Sequence, residues 1–215
     1  MQLVLSKLSK RLYLDAMIDR PISNPKKVDV ARRQLGTALH LYLAGLDPVS
    51  VHVLASGGCE IARALAAKAN AKPFSDFTLE IFPHFKKADL DYLRSKFWNA
   101  MKHAKRRDGT ERDDEALLSM PLTTENEARL AEGWFDLAQA GIPLPLEAQA
   151  FNLWYLAKHG DHKELDGWQD ELFPNILSST PEEQKRMLAD LISAERNNSE
   201  IMAHPQTDAR PLIMA

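Results

Sequence analysis

The chain reads as all-α, a helical bundle of about six or seven helices, and three observations carry that reading. Apolar residues recur at three- and four-residue spacing through most of its length. No stretch alternates β-branched and polar residues as a half-buried strand would. Cap and stop residues bracket the periodic segments. With 215 residues, 45% of them hydrophobic and 27% charged, the chain can bury a sizeable core. One helical domain is expected over residues 1–196, with 1–20 as an N-terminal helical arm and 197–215 as a tail that is either mobile or docked.

The elements follow in order. Leu5, Leu8 and Leu12 stripe a short basic helix that stops before Pro21. After the turn SNPKK, Pro25 suits the first turn of a helix whose inner face is Val28, Ala31, Leu35, Ala38, Leu39, Tyr42 and Leu46, ending near Gly45. Asp47 and Pro48 open a helix that runs to Lys68. Gly57 and Gly58 fall in its middle, at a cost of about 1 kcal/mol each relative to Ala, so the close approach of another helix is expected there. The segment FSDFTLEIFPHF reads as a connector half-buried by its phenylalanines. A helix from Ala88 to Arg107 is stopped by Asp108 and Gly109. Thr124 and Glu127 have the spacing of a capping box at the head of an acidic helix that ends at Gly141. Glu147 to His159 forms a helix closed by Gly160, and Thr180, Pro181 and Glu183 start the last one, to about Arg196.

Several classes of protein are disfavoured. The apolar runs fall well short of the ~18 to 20 residues of a membrane span, and charge runs through the N-terminal stretch where a signal peptide needs an apolar core. A single cysteine, Cys59, allows no internal disulfide and no multi-thiolate zinc site, so a reducing cytoplasm is the expected setting. There is no phosphate-cradling glycine loop, no GxSxG and no dinucleotide fingerprint. No cofactor and no metal is expected. Net charge is −3, but residues 1–112 carry 20 Lys and Arg against 11 Asp and Glu, and residues 113–215 carry 7 against 19. Either the two halves neutralise one another, or the basic half attracts a polyanion. The expected partners are therefore a second copy of the chain, another protein or RNA, and not a membrane.

Chemistry concentrates in FWNAMKHAKRRDG, residues 97–109. Asn99 and His103 are one turn apart, and Lys96, Lys102 and Arg106 extend a polar strip that Asp108 closes. Such a strip suits a phosphate, and a His beside cations is held neutral, as a general base requires. His52 shares a helix side with Ser56, Cys59 and Arg63. Cys59 reads as a small core filler. If the helices of His52 and His103 pack together, the two imidazoles could line one site. KHGDH, with His159, Asp161 and His162, is a weak metal signal, and Trp134, Trp154 and Trp168 read as core.

The stretches VARRQLGTALHLYLAGLDPVSVHVLASG and WNAMKHAKRRDG resemble a set of uncharacterised bacterial helical proteins with KRQL, DPxSxHxLA and NxxKHA segments. The matching positions are Arg33, Gln34 and Leu35; Asp47, Pro48, Ser50, His52, Leu54 and Ala55; and Asn99, Lys102, His103, Ala104 and Asp108. The resemblance implies a helical fold and brings no activity with it. More distantly the chain is similar to the HEPN ribonuclease and nucleotide-binding superfamily, whose motif is an Arg, a polar residue, three residues and a His. Asn99 and His103 match its last two elements, while Trp98 stands where the Arg belongs. Two functional expectations result, beside the smaller possibility of a metal or small-ligand site between the helices of His52 and His103. The first is a non-catalytic binding or regulatory module. The alternative is a HEPN-like RNA-binding protein or metal-independent ribonuclease, in which His103 is the base, Asn99 orients the phosphate, and Lys96, Lys102 and Arg106 hold the backbone.

Overall fold

Local capping sets where the first long helices begin. The Asn24 side chain accepts from the Lys27 amide ahead of Pro25, and Asp47 accepts from the Val49 and Ser50 amides around Pro48. In the computed structural model, which describes residues 24–81, 83–160 and 167–214, these caps open α1 (Pro25–Leu43) and α2 (Pro48–Lys68). There follow α3 (Phe74–Ile81), α4 (Lys87–Lys102), α5 (Glu115–Leu118), α6 (Thr123–Gln139), α7 (Leu146–His159), α8 (Trp168–Leu172), a 3₁₀ turn at Ile176–Ser178, α9 (Pro181–Glu195) and α10 (Ser199–Met202). The described residues are thus all-α, with seven helices of at least seven residues and no strands. The arm expected over residues 1–20 and the pair Asp161 and His162 lie outside them.

Three helices meet at one side chain. Leu35 of α1 is fully buried, and a Cβ at Gly58 of α2 would come within 2.6 Å of its Cγ. A Cβ at Gly133 of α6 would come within 2.5 Å of its Cδ2. The glycine in mid-helix therefore has the close approach expected of it, and Gly57 lies beside Gln34. α6 is buried on nearly all sides, from Asn126 through Leu130, Trp134 and Leu137 to Ala138. α7 adds Phe151 and Trp154, whose rings lie 5.6 and 6.4 Å from Tyr42, and the Trp154 indole donates to the Gln184 carbonyl of α9 at 2.8 Å. The three tryptophans expected in the core are there.

Structure and expectation part in four places. Leu46, expected on the inner face of α1, lies beyond its end and is exposed. FSDFTLEIFPHF is no plain connector, because α3 forms within it. Its first amide, Phe74 N–H, is capped at 2.7 Å by Asp136 of α6, and Phe74 and Phe77 meet Phe135 edge-on. The capping box at Thr124 and Glu127 does not form, since the helix begins one residue earlier and Leu122 is its N-cap. Glu127 is instead buried and accepts from Tyr42 (2.8 Å) and Lys158 (2.9 Å) while pairing with His159 (3.0 Å). These bonds hold its carboxyl below the ordinary range against the opposing push of burial. Finally, α4 stops at Lys102, well short of Arg107. Asp108 accepts from the Thr110 amide and hydroxyl, Gly109 takes φ +83°, and the chain turns back with Lys105 bridged to Glu111.

The tail is docked. Leu144 N–H donates to Gln206, and Asp208 N–H returns to the Leu144 carbonyl. Buried Arg32 donates to Asp208 and to the carbonyls of Pro211 and Leu212, each at 2.8 Å. Leu212 in turn fills the space over Gly36, where a Cβ would lie 2.4 Å from its carbonyl oxygen.

Two outcomes follow from this packing. Gly133→Ala overpacks Leu35 and costs about 1–3 kcal/mol in urea unfolding, and the cost shrinks in a Leu35→Ala background, where the neighbour has room to give. Gly36→Ala pushes Leu212 off, so hydrogen exchange at the Leu144 and Asp208 amides accelerates while the α2 core amides keep their protection.

Candidate functional site

α4 crosses α2 and α6 at a distance that leaves a cleft of about 270 Å³, closed on one side by α3. Its apolar wall is Phe74, Leu90, Leu93 and Tyr155. Its charged wall is Arg94 and Lys96 of α4 facing Glu125, Arg129 and Glu132 of α6, with His52 of α2 joining them.

Glu132 is shared by two guanidinium groups, pairing with Arg94 and, at 2.7 Å, with Arg129. Lys96 lies 3.9 Å from Glu125 and 4.8 Å from the Phe97 ring centre. Three cations thus line the cleft against two carboxylates, and Arg63 adds its field from α2. Burial, reinforced by repulsion from Arg129 and Arg63, pushes the Arg94 pKa down to about 10, and Arg129 is lowered by the same causes, burial first. Asp91, 3.7 Å from Arg94, and Asp136 act against that positive charge, and the whole set is held in a poorly solvated place, where charge interactions are strong.

His52 is 2% exposed, and its ring lies edge-on to Phe97 with centroids 5.7 Å apart. Its Nδ1 is 2.9 Å from Asn126 Oδ1. The Asn126 amide nitrogen donates to the Pro48 carbonyl at 2.9 Å, and a carbonyl can only accept. Oδ1 must then face the imidazole and accept from Nδ1–H. Burial holds the His52 pKa below its ordinary value, so the ring is neutral and Nε2 is a bare acceptor. That nitrogen is buried without a hydrogen-bond partner.

The other groups nearby are ill suited to nucleophilic chemistry. Cys59 donates from Sγ to the Arg129 carbonyl at 2.8 Å, and burial pushes its thiol up to about 11, which suits a core filler better than a nucleophile. Among the described residues, no group of three or more His, Cys, Asp or Glu side chains is placed to hold a metal. No helix among them is long and apolar enough to cross a membrane.

The sequence-predicted residues divide between two places. His52 and Lys96 line the cleft; Asn99, Lys102, His103, Arg106 and Asp108 do not. His103 is the C-cap of α4, in extended conformation and exposed, and its amide donates to the Asn99 carbonyl at 3.1 Å. It has left the helical face on which Asn99 lies half-buried. Lys102 lies over the Trp98 ring at 4.7 Å, Arg106 is exposed, and Asp108 serves the turn at Thr110. Sequence reasoning missed Arg129 and Glu132 of the cleft, and Asp136 one turn further on, which caps α3. A signal was present, for their spacing of three and four residues sets a charged stripe among the buried residues of α6.

Asp136 makes the site measurable. Burial raises its carboxyl from the ordinary 3.8 to about 6, against the pull of the Phe74 amide and of Arg94. The native state therefore binds this proton more readily than the unfolded chain does. The group's contribution to stability is whole below pH 3.8 and is lost as pH rises through 6, a change on the order of 3 kcal/mol. Urea unfolding across that window should show the loss in the wild type and not in Asp136→Asn.

No protein-family model, no curated protein and no solved structure matches the chain.

Proposed function

We propose that the protein is a non-catalytic binding or regulatory module of the cytosol whose ligand enters the cleft between α3, α4 and α6. The observation that carries this reading is a concave space with an apolar wall and a densely charged wall, bordered by the buried residue His52. Its groups suit holding a ligand rather than turning one over. The thiol is protonated and bonded, and His52 has no second titratable group bonded to it that would cycle a proton. At about 270 Å³ the space falls below the roughly 300 Å³ at which drug-sized sites begin, which favours a small molecule. Ala128 borders the cleft without belonging to the core. Ala128→Phe should leave helical circular dichroism intact and abolish the thermal shifts that a chemically mixed small-molecule library produces with wild-type protein. If no compound of any charge class shifts the wild type, the reading fails.

A second reading places RNA at the far end of α4. It is favoured by the exposure of Lys102, His103, Lys105, Arg106 and Arg107 together on one short stretch. It requires binding to single-stranded RNA that weakens steeply with salt, with a shallower salt slope in Lys102→Ala/Arg106→Ala. The ribonuclease form of this reading further requires cleavage that His103→Ala removes.

A further inference from the structure

Among the described residues, the charges around the cleft cancel. Arg94, Lys96 and Arg129 line it, with Arg63 behind them. Against these four cations stand Glu125 and Glu132 of the lining, Asp91 at 3.7 Å from Arg94, and Asp136, which acts on Arg94 and Arg129. Burial holds His52 neutral, so it adds nothing to the sum. A charged ligand would therefore arrive without a countercharge in a poorly solvated place, whereas a neutral one disturbs no pair. The hydroxyls of α3 beside the apolar wall are committed as well: Ser75 donates to Asp76 at 3.2 Å and Thr78 to the Phe74 carbonyl at 2.9 Å. What the cleft still offers is surface. Phe74 and Tyr155 meet edge-on with ring centres 6.5 Å apart, and Leu93 of the same wall is 43% exposed. A guanidinium group whose edge is paired with a carboxylate, as those of Arg94 and Arg129 are, can still lie against an aromatic ring through its face.

Building on the reading of the cleft as a binding site, we propose that its ligand is a small uncharged aromatic molecule. Its ring packs against Phe74, Leu93 and Tyr155 and turns a face to the guanidinium groups, whose edges stay on Glu132. Neutrality is the more discriminating requirement. An added charge of either sign leaves the set unbalanced, while an aliphatic ring of similar size forfeits only the ring contacts.

The test is a titration of the ¹⁵N-labelled full chain, at neutral pH, with probes of similar size: phenylacetamide, phenylacetate, 2-phenylethylamine and cyclohexylacetamide. Phenylacetamide should bind tightest and move the amides of Ser75, Thr78, Ala128 and Glu132. Each ion should bind about tenfold more weakly, and cyclohexylacetamide several-fold more weakly. Glu125→Gln checks the charge argument, since Glu125 is half-buried and its loss leaves Lys96 without its carboxylate. In that variant the preference for the amide over the acid should shrink several-fold. Binding of either ion or of cyclohexylacetamide as tight as that of phenylacetamide overturns the proposal. So does an unchanged preference in Glu125→Gln, undiminished phenylacetamide binding in Ala128→Phe, or no binding by any probe. The library screen with Ala128→Phe separates this failure from the broader one. If its hits are lost in that variant while these probes fail, the cleft remains a binding site for another class of ligand; if the library too gives nothing, both readings fall.

Discussion

Leu35 occupies a hole that exists because two residues lack a Cβ. Gly58 and Gly133 let α2 and α6 close on α1 from two sides, and the resulting three-helix frame is what the remaining elements lean on. α4 reaches this frame through few points, chiefly Phe97 against His52 and Arg94 against Glu132. Any shift in the distance between α2 and α6 would pass directly to both. The space between α4 and α6 follows from this: a tightly held pair of helices carries a third that is held by charge, one aromatic edge and the Trp98 indole donating to Glu60 of α2. Close packing transmits strain, so a methyl group added at the frame is felt at the cleft.

Part of the charge asymmetry of the chain is met inside the fold. Arg32, Arg94 and Lys96 come from the basic half, and their carboxylate partners Asp208, Glu132 and Glu125 come from the acidic half. Arg32 is completely buried and fully employed by the tail, with a carboxylate and three carbonyls in its reach. The cleft differs because one carboxylate, Glu132, serves two of its guanidinium groups. Burying charge in this way rarely adds stability by itself, since removing the ions from water costs as much as the pairing returns. The two clusters therefore have different meanings. At Arg32 all three guanidinium nitrogens donate to the tail, as a structural latch requires, while His52 beside the cleft keeps an acceptor without a donor.

Much of the bundle is legible because its determinants are local. Asn24 with Pro25, Asp47 with Pro48, and the capping box of Thr180 and Glu183 each lie within a few residues of the helix they start, and each is present in the fold. The glycine in the middle of α2 and the buried tryptophans follow from cost and volume alone. What is not legible is supplied from a distance. The cap of α3 comes from Asp136, some sixty residues downstream. Glu127 looks like a capping residue until Tyr42, Lys158 and His159 converge on it from α1 and α7. The helix carrying His103 looks long enough to align it with Asn99, yet Asp108 forms its own turn and the helix ends before the alignment is made. Arg94 is visible in the sequence as one more cation, and only the approach of α6 makes it part of a site.

The borrowed cap of α3 has a consequence for how the cleft is built. A helix of eight residues does not persist in water on its own, and this one has its first amide satisfied by a side chain of α6. The α3 side of the cleft therefore rests on α6 rather than on its own short sequence, and a single carboxylate ties two of the elements around the cleft together.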